Sequence, residues 1–157
     1  MPSFKRFLQV SGLVGALSYA SGCQSTDFRK TSDGGFELTV TNKLSDDVQM
    51  FSYSPATKMY PADFCGLGVS GVEMGQKSAD LVIADFSCNK EAELVLIKYG
   101  DNPKVSTYIF NQKTKRLENA DPSLDNADLT TKVDKMLKDF YKEHGIDRLI
   151  KEAKGSK

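Results

Sequence analysis

The sequence predicts an α+β fold, an antiparallel β-sheet or small sandwich of about six strands followed by C-terminal amphipathic helix. Two patterns predict it. From Phe36 onward, apolar and polar residues alternate in short runs parted by Gly, Pro, Asn and Asp, the period of a strand with one buried face. Over the last fifth of the chain the apolar residues recur at three-and-four spacing, the period of a helix that buries one stripe.

Phe36, Leu38 and Val40 alternate with Glu37, Thr39 and Thr41, which places the apolar set on one face of the first strand. The polar stretch 42–47 reads as a turn into a second strand at 48–53, paired antiparallel with the first. Segments 80–86, 93–99 and 105–110 are rich in β-branched, aromatic and leucine residues and read as a meander. Gly100-Asp101-Asn102-Pro103 forces a turn inside it, because Gly accepts positive φ and Pro cannot donate to a ladder. A short last strand follows at 116–118.

Helix is expected over about 122–154. Asp121-Pro122 or Asp125-Asn126 supplies its start, since a carboxylate satisfies free N–H groups and Pro suits the first helical position. Leu129, Val133, Met136, Leu137, Phe140 and Tyr141 form its apolar face. Gly145 interrupts, and Ile146, Leu149, Ile150 and Ala153 resume the stripe.

The N-terminus reads as an address. Lys5 and Arg6 precede an apolar run at 7–17 and small residues at 18–22, the three parts of an export signal. A membrane-spanning helix needs roughly 20 apolar residues, more than this diluted run contains. Ala20-Ser21-Gly22-Cys23 resembles the lipobox of bacterial lipoproteins, in which a cysteine after small residues is lipidated and becomes the new N-terminus. The resemblance covers the leader alone, and Ala20 stands where that family usually has a larger aliphatic. It implies lipidation of Cys23 and partnership with a membrane. Gln24, in place of the Asp that signals inner-membrane retention, implies the periplasmic face of the outer membrane in a host with two membranes. The competing cut, after Ala20, releases a soluble chain.

Cysteine parity bears on that choice. With Cys23 lipidated, Cys65 and Cys88 remain and can pair in an oxidising envelope, whereas a soluble chain keeps an odd thiol. The expected organisation is therefore a signal peptide at 1–22, a lipid-anchored flexible tether at 23–35, and one β-rich domain at 36–157. The 135 residues left after the leader suit a single core.

Gly66-Leu67-Gly68-Val69-Ser70-Gly71 matches the G-x-G-x-x-G string of dinucleotide sites, but no strand–turn–helix context surrounds it. Gly66, Gly68, Gly71 and Gly75 read instead as a mobile partner-binding loop beside Cys65. No cofactor and no metal site is expected. The acidic residues at 121–128 lack the register of a calcium loop, and two thiols with one histidine fall short of a typical zinc set.

Charges balance at 21 basic and 21 acidic residues, and loss of Lys5 and Arg6 leaves the exported chain at −2, without the footprint of a nucleic-acid binder. Two function classes remain. One is a non-catalytic envelope lipoprotein that binds or scaffolds a secretion, assembly or cell-wall partner. The other is a small periplasmic hydrolase using His144, the single imidazole of the chain, with an acidic partner.

Overall fold

A repeated turn chemistry organises the chain. Asn42, Asn102 and Asn111 each accept the amide of the residue two positions on through their side-chain oxygen, to Leu44 at 2.9 Å, Lys104 at 3.0 Å and Lys113 at 2.8 Å. Such Asx turns reverse the backbone without needing tertiary support. In the computed structural model, which describes residues 23–124 and 126–155, they join strands of a single antiparallel sheet.

The sheet has eight strands in strictly sequential order: β1 Gln24–Lys30, β2 Phe36–Asn42, β3 Val48–Ser54, β4 Phe64–Met74, β5 Lys77–Phe86, β6 Leu94–Tyr99, β7 Val105–Asn111 and β8 Arg116–Asn119. A 3₁₀ turn, Pro122–Leu124, leads to helices α1 (Leu129–His144) and α2 (Ile146–Gly155). The α+β class and antiparallel sheet follow the expectation, and the sheet is one layer rather than a sandwich.

Two strands are added to the expected six. The tether at 24–30 is β1, paired residue for residue with β2, and 31–35 is the hairpin turn that joins them. Its sequence hid it because an edge strand buries little, and Phe28 is the one large apolar side chain it carries. The glycine string is no loop either. It lies within β4, where Cys65, Leu67 and Val69 face the core and Gly66 and Gly68 face away, a position that needs no side chain for burial.

The core lies between one face of the sheet and the two helices. Phe36, Phe51, Tyr53, Leu67, Leu81, Ile83 and Ile97 fill the sheet side, and Leu129, Val133, Leu137 and Phe140 the helix side. Phe51 is the hinge between layers, with its ring centroid 5.7 Å from Phe140 and 5.4 Å from Tyr141. Thr130 Oγ1 accepts the Leu117 amide at 2.8 Å and ties α1 to β8. Lys154 on α2 pairs with Asp63 before β4 at 2.7 Å.

The helix start differs in detail from the expectation. Asp121 accepts the Ser123 amide and so caps the 3₁₀ turn, while Asp128, the N-cap of α1, makes no side-chain capping bond. Asp125 and the leader at 1–22 lie outside the described residues. Gly145 ends α1 with φ 61° and sends its amide to the Tyr141 carbonyl, the left-handed cap that splits the stripe into two helices.

Candidate interaction face

With the helices on one side, the other side of the sheet is set by strand alternation alone. The register lines its outward residues into rows. One row runs Thr39, Met50, Gly68, Val82, Leu96, Thr107, and the next runs Arg29, Glu37, Ser52, Gly66, Ala84, Leu94, Ile109, Glu118. A third pairs Phe64 with Phe86, their rings 5.5 Å apart.

The middle of this face is apolar and wet. Met50, Val82, Phe86, Val105 and Ile109 are between 47% and 61% exposed, too open to serve the core. With Phe64, Leu94 and Leu96 they present on the order of 500 Å² of carbon to solvent, the upper end of what a monomeric protein's largest patch shows. Gly68 leaves a gap on β4 beside the exposed Val82 of β5, whereas at Gly66 the Phe64 ring and the Ser52 hydroxyl close in to 3.4 Å of where a Cβ would stand. A Cβ at Gly68 would meet only the Met50 carbonyl oxygen, at 3.9 Å.

Charged side chains flank this apolar centre, and one ion pair among them closes within the chain. Arg29 pairs with Glu37, Asp80 lies opposite Lys98, and Glu118 accepts from Asn111 and Thr114.

Four glycines were expected to share one loop, and the structure separates them. Gly66 and Gly68 lie on the open face. Gly71, with φ 68°, forms the bulge between Val69 and Val72, and a Cβ there would stand 2.1 Å from Asp47 Oδ1. Gly75 sits at the β4–β5 turn.

Cys65 and Cys88 are joined, as their count implied. The bond clamps the β5–β6 connection, where Ser87, Cys88 and Lys90 all take positive φ. Three left-handed non-glycine residues so close together need external support. Asp85 supplies it, accepting the amides of Asn89 at 3.0 Å and Lys90 at 2.9 Å. Burial pushes its carboxyl up, against the pull of those amides and of the Tyr141 hydroxyl. Next to it, burial raises Glu93 to about 7, opposed by the Phe86 amide it accepts and reinforced by the Asp85 charge.

No protein-family model, curated protein or solved structure matches this chain.

His144 lies at the edge of the core, 8% exposed, with its ring 4.4 Å from that of Phe140. Desolvation holds its pKa down to about 4, and the carboxylate within reach is Glu143, at 4.0 Å. A cavity of about 160 Å³ opens between the first hairpin and α2, walled by Phe28, Phe36, Leu149 and Ala153 with Lys30 and Glu152 at its sides. Among the described residues no cluster of three metal-ligating side chains occurs, and no helix is long and apolar enough to cross a membrane.

The open face escaped the sequence reading, although its signal was present. Leu94, Leu96, Val82 and Ile109 break the polar half of the alternation in adjacent strands, which makes strands apolar on both sides.

Proposed function

We propose that the protein is a non-catalytic envelope lipoprotein that binds a protein partner through the open face of its sheet. One observation carries the reading: an apolar patch crossing β3 to β7, in which Met50, Val82, Phe86, Val105 and Ile109 are about half exposed, with an open gap at Gly68 and charged residues around it. An apolar centre with a polar rim is the anatomy of a protein-binding surface. A hydrolase built on His144 draws no support from its setting, because a general base must reach substrate and this ring is packed against Phe140.

The membrane address rests on the lipobox resemblance and on the pairing of the other two cysteines. It acquires a geometry from β1. Cys23 is exposed and immediately precedes that strand, and its carbonyl accepts the Lys43 amide at 2.6 Å. A lipid on Cys23 therefore holds the domain close to the bilayer, with Lys43 and the exposed Leu44 of the β2–β3 turn toward the headgroups. There is no leash of the kind expected for 23–35.

The test is a photo-crosslinking amino acid placed at Val82 or Ile109 of the full chain in bacterial cells, with Lys113 as the control position. Adducts from the two face positions, absent from Lys113 and lost on Leu96→Lys, are the expected result. Face positions that yield no more adduct than Lys113 overturn the reading. Mass spectrometry of the mature N-terminus checks the anchor: lipidated Cys23 is expected, and an unmodified start at Ser21 refutes it.

A further inference from the structure

We infer that the partner on the open face is a second copy of this chain, packed sheet to sheet about a two-fold axis that runs along the strands between β4 and β5. The inference rests on the partner-binding reading above and adds the occupant to it.

Three features of the face fit this arrangement. The first is shape. The axis falls at the middle of the eight-strand order, so β4 of each copy lies over β5 of the other and the row register is preserved. The Gly68 gap in one copy then receives Val82 of the other, Met50 meets Leu96, and Phe64 meets Phe86. Near the axis the Gly68 gap and the exposed Val82 are thus complementary to themselves, within the roughly 30° that stacked twisted sheets adopt.

The second is area. The apolar centre offers on the order of 500 Å² per copy, the larger part of the roughly 800 Å² per partner of a standard interface.

The third is the position of the anchor. A two-fold along the strands keeps both chain starts at the same end of the dimer, and Cys23 marks that end in each copy. Both lipids can then enter one bilayer. An axis across the strands would set the two cysteines at opposite ends and exclude common anchoring.

The experiment uses two differently tagged full chains co-expressed in a bacterial envelope, one carrying Gly68→Cys and the other Val82→Cys, with oxidation of intact cells by copper phenanthroline. A Cys at either site is accommodated, since Gly68 has open space for a Cβ and Val82 is 53% exposed. The expected product is a disulfide-linked species carrying both tags, absent from two wild-type copies and reduced about tenfold or more by Leu96→Lys, which sets a charge in the apolar centre. Absence of that species while both thiols still react with maleimide overturns the inference. Photo-adducts from Val82 whose mass is not that of two copies also overturn it but leave the partner-binding face standing. Loss of all face adducts removes both readings.

Discussion

The Asp85 carboxylate, fully buried at the end of β5, accepts the Tyr141 hydroxyl of α1 at 3.2 Å across 56 residues of chain. The contact joins the disulfide-clamped loop to the helix layer, because the same carboxylate holds the Asn89 and Lys90 amides. Asp85→Ala leaves these donors unsatisfied and is expected to lower unfolding free energy by roughly 2–4 kcal/mol, against about 1 kcal/mol for Tyr141→Phe. Urea denaturation of the two single variants and the double variant measures this, and a fully additive double variant refutes the coupling.

Reduction of Cys65–Cys88 is expected to cost about 3 kcal/mol on the loop-entropy model, since the bond closes a 23-residue separation. The loop should loosen first. Its left-handed residues Ser87, Cys88 and Lys90 then rely on Asp85 and on the Lys90–Asp147 pair, which bridges 2.7 Å to α2. Hydrogen exchange at 87–92 before and after reduction reports the effect, and unchanged protection there refutes it.

The buried His144 and the partly buried Glu93 are expected to oppose each other in the acid range. His144 titrates near 4 in the fold and 6.5 when unfolded, so its contribution is complete above pH 6.5 and is lost toward pH 4, by about 3 kcal/mol in all. Glu93 titrates near 7 in the fold against 4.5, so its contribution is complete below pH 4.5 and is lost as pH rises to 7. From pH 4.5 to 6.5 the slopes offset. Glu93→Gln, which keeps an acceptor for the Phe86 amide, should expose a profile that climbs with pH across this window. Urea midpoints that superimpose on wild type at pH 4.5, 5.5 and 6.5 would contradict the assignment.

The glycines of β4 should respond in opposite directions to alanine. At Gly71 the positive φ and the 2.1 Å approach of Asp47 make Gly71→Ala destabilising by more than about 1 kcal/mol. Gly68→Ala meets no close atom of its own chain and restricts the unfolded chain, so at concentrations where the chain is monomeric it is expected to be neutral or stabilising by about 0.5 kcal/mol. Thermal melts under reversible conditions separate the two, and equal losses at both sites would disprove the assignment of Gly68 to an open face.

Much of the secondary structure was legible because it is written in local period. β2 and β3 follow from alternation, the turns from Asn and Gly, the two helices from three-and-four spacing broken at Gly145, and the cysteine pair from parity. β1 and β4 were not legible, for opposite reasons. β1 is an edge with little to bury, and β4 carries glycines whose usual meaning is a loop.

The sequence by itself determined that apolar residues would gather on one side of each strand and one stripe of each helix, since a side chain's direction follows from backbone geometry alone. The tertiary structure decided which side of the sheet the helices cover, and so left Met50, Val82, Phe86 and Ile109 in solvent around the gap at Gly68. It also set Asp85 beneath Tyr141 and ended the supposed leash in a strand that begins next to Cys23. Such juxtapositions depend on strand order and register across the whole chain, and no local window of sequence contains them.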